Sequence, residues 1–156
     1  MVSILELSHS VSNKYKEFPA PLEPEWGESF SYPVDADSLS DSELDTWMLK
    51  LGEWRGYVSA LASTLEGQLA VIEPAFEMKV GVAMATVDLP SDRRMVKEIV
   101  RSLAIIGNIE LTELWDELLR LKGEVKILQK KYEYYTQQFE TISRVVSRRG
   151  QERMRL

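Results

Sequence analysis

From Leu111 to Val146 the large apolar residues fall at Leu111, Leu114, Leu118, Leu121, Val125, Leu128, Tyr132, Tyr135, Phe139, Ile142 and Val146, with gaps that alternate three and four without a slip. This is an a/d seam of period 3.5 sustained for about five heptads, the mark of a coiled-coil-like helix. No proline interrupts it, and Gly123 is its one strong helix opponent. At 1.5 Å per residue such a helix is roughly 54 Å long, more than a compact small domain spans. A second long helix or another subunit must cover the seam. Tyr132, Tyr135 and Phe139 hold successive core positions, which a tight parallel dimer accommodates poorly, so a bundle or higher oligomer is expected there.

A second seam runs through Leu44, Trp47, Leu51, Trp54, Val58, Leu61, Leu65, Gln68 and Ile72, with only Gln68 polar. Its start is signalled by Ser40-Asp41-Ser42-Glu43, a capping box in which Ser40 covers the Glu43 amide and Glu43 reaches back. Pro74 removes a ladder amide and is expected to kink or end the helix between Ile72 and Phe76. Residues 75–89 fit a helix or a strand; helix is preferred, because a lone strand has no partner in this chain. Leu89-Pro90-Ser91-Asp92 breaks the chain, with Ser91 as a cap. A third helix is expected from there to Ile106, apolar at Met95, Ile99, Leu103 and Ile106. Gly107-Asn108 ends it, and Asn108 caps the final helix.

Residues 1–39 have a different character. Pro19, Pro21, Pro24 and Pro33 prevent a continuous helix, and Trp26, Phe30 and Tyr32 lie among Glu23, Glu25, Glu28, Asp35 and Asp37. The expectation is an extended acidic arm, 1–39, leading into a helical oligomerisation and binding domain, 40–156. Such an arm suits a basic, partly apolar partner surface, or its aromatics tuck against the chain's own helices. The fold class is all-α: long heptad-patterned helices in a coiled-coil-like bundle, with an irregular N-terminal arm.

Composition removes several function classes. At 156 residues, 44% hydrophobic and 28% charged, the chain has the size and make-up of one soluble domain. Without Cys there is no disulfide framework, thiolate metal site or cysteine nucleophile. No apolar run is long enough for a membrane span, and no signal sequence is visible, so a cytoplasmic protein with no membrane partner is expected. His9 is the one histidine, and no glycine-rich phosphate loop is present, so no cofactor is expected. Glu110, Glu113, Asp116 and Glu117 have the spacing by which all-α nucleotide pyrophosphohydrolases hold Mg²⁺. Those enzymes need a second such helix, which is missing; acids near a helix N-terminus are also favoured by its dipole. A non-enzymatic protein is expected.

The net charge of −6 hides a gradient. Residues 1–46 hold 2 basic and 10 acidic groups, whereas residues 91–156 hold 14 and 10. Lys122, Lys126 and Lys130 make a stripe off the seam, and Arg144, Arg148, Arg149, Arg153 and Arg155 crowd the end of the chain. Tyr132, Tyr134 and Tyr135 lie between the two groups. Arginine forks bind phosphate and aromatic rings stack on unpaired bases, so these lysines and arginines are the candidate DNA-binding residues. Tyr132 and Tyr135 fit the seam and are assigned to the core. Leu118, Leu121, Val125, Leu128, Tyr132, Tyr135, Phe139 and Ile142 are the candidate oligomerisation residues.

The ending Phe139-Glu140-Thr141-Ile142-Ser143-Arg144-Val145-Val146-Ser147-Arg148-Arg149-Gly150, after two long helices of which the first carries tryptophan, resembles the phage recombination mediators (the UvsY-like family). The resemblance covers roughly 41–150 in architecture and the last dozen of those residues in motif. It implies a homo-oligomer that binds single-stranded DNA and helps load a RecA-like recombinase onto strands covered by single-strand-binding protein. Arg144, Arg148 and Arg149 are the matched positions. The family's lysine-rich stretch late in the first long helix is absent, since Lys79 stands alone. The alternative expectation is a structural helical assembly protein, such as a virion or scaffolding component, with subunit contacts made by coiled coil and arm.

Overall fold

A computed structural model describes residues 3–15, 21–25, 35–87 and 96–155. Four α-helices follow in order: α1 (Ile4–Tyr15), α2 (Asp41–Thr86), α3 (Lys97–Ile106) and α4 (Ile109–Arg153), with a 3₁₀ turn at Ala36–Ser38 before α2. There is no strand among the described residues, so the protein is an all-α helical bundle. Trp26, Phe30, Tyr32, Pro19, Pro33 and the break at Leu89–Asp92 lie outside the described residues, as does Met95.

The chain forms two compact units. One comprises Met1–Phe18 and Ser63–Val125, the other Pro19–Ala62 and Lys126–Leu156. This division does not follow the expected boundary at residue 39, and the long helices contribute to both units.

In the first unit, Ile72, Phe76 and Val80 of α2 meet Leu111, Leu114, Leu118 and Leu121 of α4 in one buried cluster. Burying each such side chain is worth about 1.5–3 kcal/mol. Phe76 stacks on Trp115 at 5.4 Å between centroids. Ion pairs Lys79–Glu110 and Lys122–Glu73 show that the two helices run antiparallel here. The α3 helix is fastened to α2 by a two-bond fork from Arg101 to Glu77, each bond 2.7 Å, with the guanidinium over the Phe76 ring.

The structure corrects two expectations in this unit. Pro74 neither ends α2 nor divides it, and the helix runs unbroken to Thr86. Ile72 and Phe76 on either side of Pro74 are fully buried, and their burial offsets the lost hydrogen bond. Ala70, whose carbonyl loses its donor, is exposed to water. The second correction is α1. Residues 4–15 are helical rather than extended, and their start is a capping box: the Ser3 amide donates to Glu6 at 2.7 Å and the Glu6 amide to Ser3 Oγ at 3.1 Å. Ile4 and Leu5 pack on the cluster and Ser8 is buried. A Cβ on Gly67 would stand 3.3 Å from Val11 Cγ1, so the missing side chain lets α1 and α2 approach closely.

In the second unit the core is aromatic. Leu44, Leu51, Trp54 and Val58 of α2 meet Tyr135, Ile142 and Val145 of α4, with Tyr57 and Phe139 packed alongside. Trp54 touches Tyr57 edge-on at 5.8 Å and Tyr135 at 6.1 Å. Tyr135 and Ile142 keep their seam positions, but two others do not. Tyr132 and Val146, both seam positions, are 38% and 36% exposed, while Val145 is only 8% exposed. Tyr132 instead faces the Arg55 guanidinium, which also lies over Phe139 at 4.9 Å. The Arg55 Nε is buried without a hydrogen-bond partner.

The caps expected at Ser40 and Asn108 are present, whereas Ser91 lies outside the described residues and α3 starts after Val96 without a side-chain cap. The Ser40 amide donates to Glu43 at 2.7 Å and the Glu43 amide to Ser40 Oγ at 3.3 Å; the Leu111 amide donates to Asn108 Oδ1 at 3.2 Å.

Candidate functional site

The second half of α4 presents two basic surfaces within the second unit. The first is an open groove of about 390 Å³ lined by Lys126, Ile127, Lys130, Lys131 and Tyr134. These residues recur at helical spacing on the side of α4 away from Tyr135, so packing of the core turns them outward. Lys126 has no acidic partner among the described residues, and Lys130 pairs with Glu133 at 2.5 Å. Tyr134 is 47% exposed and rests edge-on against buried Tyr135, with centroids 5.7 Å apart. A propped, exposed ring between lysines can stack on a base while the ammonium groups meet phosphates. Of the three tyrosines, Tyr134 is the one available for this; it falls outside the seam, which is the signal that distinguishes it. Lys122 of the expected stripe belongs to the other unit and is paired with Glu73.

The second surface is the arginine tail, and it is closed. Arg148 donates to the Asp37 carboxylate. Arg149 donates to Asp41 Oδ1 at 2.9 Å and to the Asp37 carbonyl at 2.7 Å. Arg153 donates to the other Asp41 oxygen. The two guanidinium groups hold the Asp41 carboxyl below its ordinary value. Arg144 is 3.8 Å from Glu140 and largely exposed, and Arg155 lies exposed beyond the last helical residue. Asp37 and Asp41 of the acidic front and three arginines of the basic tail thus meet in one clasp. Exposed ion pairs of this kind are worth about 0–1 kcal/mol each.

The expected oligomerisation residues are mostly consumed within the chain. Leu118, Leu121 and Val125 are buried in the first unit and Tyr135 and Ile142 in the second, with Leu128 and Phe139 half-buried against the same aromatic cluster. Of the set, Tyr132 alone is exposed. The apolar surface left open lies elsewhere: Val96, Ile99, Leu103 and Ile106 follow three-four-three spacing along α3, and all four are exposed.

The carboxylates Glu113, Asp116 and Glu117 line a hollow in the first unit with Leu5, His9 and Arg120. Arg120 bonds to Glu117 at 2.7 and 2.8 Å and lowers its pKa, and it also reaches Glu124 at 2.5 Å. Among the described residues no group of three or more His, Cys, Asp or Glu is placed to hold a metal ion. No described helix is long and apolar enough to cross a membrane.

The fold and these surfaces define an all-α bundle with a basic, aromatic helix face. No protein-family model, curated protein or solved structure matches the chain.

Proposed function

We propose that the chain is a non-enzymatic single-stranded-DNA-binding protein of the recombination-mediator kind, acting as a homo-oligomer that helps a RecA-like recombinase onto DNA. The observation that carries this reading is the groove with Lys126, Lys130 and Lys131 around the propped ring of Tyr134. Lysine at successive turns follows a phosphate backbone, and a tyrosine face accepts any unstacked base. The work of such a protein lies in the host cell cytoplasm, alongside single-strand-binding protein. Binding of a labelled oligothymidylate at two salt concentrations tests it, because counterion release makes phosphate binding fall with salt, with a slope of about −0.7 per contact on single strands. Binding that is absent at low salt removes the reading.

A structural helical assembly protein is the second reading. It is favoured by the exposed apolar stripe Val96, Ile99, Leu103 and Ile106, whose spacing suits packing against another helix. Sedimentation at rising concentration separates the two readings: assembly without oligonucleotide binding belongs to the second.

A further inference from the structure

Two basic surfaces on the same half of α4 have been built differently. On the lysine–tyrosine face Lys126 has no acidic partner among the described residues, whereas each of Arg148, Arg149 and Arg153 is turned onto an acid or a carbonyl of residues 37–41. The acids are presented by a specific local structure. Asp35 Oδ1 accepts from the Asp37 amide at 3.0 Å and its carbonyl from Ser38 Oγ at 2.8 Å, which fixes the 3₁₀ turn. That turn offers the Asp37 carboxylate to Arg148 and the Asp37 carbonyl to Arg149, and the first residue of α2 adds the Asp41 carboxylate.

We propose that Asp37 and Asp41 are intramolecular occupants of a three-arginine phosphate site, and that a single strand displaces them when it binds. The proposal rests on the reading of the chain as a single-strand binder and adds autoinhibition to it. Each carboxylate oxygen that accepts from Arg148, Arg149 or Arg153 carries charge and acceptor capacity like those of a phosphate oxygen, so a strand can take over these charge-assisted hydrogen bonds. Arg148 and Arg153 are more than half exposed, as is Asp37, so an incoming strand reaches the pairs without unpacking the core. The exchange also releases counterions from the strand, which an internal carboxylate cannot match. The lysine groove therefore sets basal binding and the arginines add to it only when the acids leave.

The test compares the full chain with Asp37→Asn/Asp41→Asn in oligothymidylate titrations over a salt series. The expected result is a rise in affinity of roughly tenfold at low salt with a nearly unchanged salt slope, because the arginines meet phosphates in both complexes and only the internal competition is removed. The rise should vanish when Arg148, Arg149 and Arg153 are also changed to Ala, and Glu98→Gln/Asp116→Asn, which removes the same charge elsewhere, should not reproduce it. Unchanged affinity in Asp37→Asn/Asp41→Asn overturns the autoinhibition alone, as does a gain that survives loss of the arginines. Absence of binding by every form overturns the single-strand reading with it. Because Asp41 opens α2, amide exchange over residues 36–43 of the unaltered chain supplies a second measurement. Faster exchange on adding oligothymidylate is expected, and unchanged or slower exchange counts against displacement.

Discussion

The two units are built from the same two long helices but are held by different physics. In the first, aliphatic residues keep the three-four seam of α4, and Leu111, Leu114, Leu118 and Leu121 are all buried against Ile72, Phe76 and Val80. In the second, the seam residues become Tyr132, Tyr135 and Phe139, the buried stripe drifts to Val145, and a guanidinium fills the space beside two rings. The first unit resembles a packed core with ion pairs at its rim. The second joins an aromatic core to an arginine clasp. Aliphatic side chains at regular spacing fill the first unit; the second carries the exposed lysines and the arginine clasp.

Core truncations test that contrast with the largest effects. Phe76→Ala removes a fully buried ring stacked on Trp115, and Trp54→Ala removes the centre of the aromatic cluster; each should cost about 3–5 kcal/mol. Hydrogen exchange should place the loosened amides of Phe76→Ala mainly in residues 63–125 and those of Trp54→Ala mainly in 35–62 and 126–155. The same protection loss in both would show that the units are not separate. A smaller effect measures the drift of the stripe. Val145→Ala should cost about 1–2 kcal/mol in urea unfolding, whereas Val146→Ala should stay within about 0.5. A strict heptad would reverse that order.

The caps give the smallest changes. Ser40→Ala removes the partner of Glu43 and should lower Tm by a few degrees. Hydrogen bonds from Ser40 hold the Glu43 carboxyl below its ordinary value, and Arg153 and Arg149 do the same for Asp41. A carboxyl lowered by folding contributes stability that is full above its unfolded value, near 4, and is lost as pH falls through the lower folded value. Thermal melts should therefore hold steady from neutral pH to about 5 and decline below it, and the decline should be shallower in Ser40→Ala.

Local signals in the sequence were enough for the long helices. Apolar periodicity and the Ser40–Glu43 box place α2 and α4, because each depends on residues a few positions apart. The Ser3–Glu6 box marks α1 in the same way, but the prolines after it dominated the reading of that segment. The local cost of Pro74 is visible in the sequence, but the burial of Phe76 and Val80 that lets α2 continue past it depends on α4, more than thirty residues away. The clasp joins Asp37 and Asp41 to arginines more than a hundred residues away. No period encodes such a pairing; opposite charge at the two ends of the chain was its only trace. Tyr134 could be separated from Tyr132 and Tyr135 by its place off the seam, whereas the exposure of Tyr132, beside Arg55, has no trace in the apolar period.

The central claim is that the loosened, basic half of α4 binds single strands through Lys126, Lys130 and Tyr134. The most direct measurement is the salt slope of oligothymidylate binding for Lys126→Gln/Lys130→Gln/Tyr134→Ala against the unaltered chain, with sedimentation run on the same samples. Loss of the two lysine contacts should flatten the slope by about 1.4 per chain, and loss of the ring should weaken binding by a further 1–3 kcal/mol or so, with assembly size unchanged. An unaltered slope and affinity would contradict the account and assign this helix face to another role.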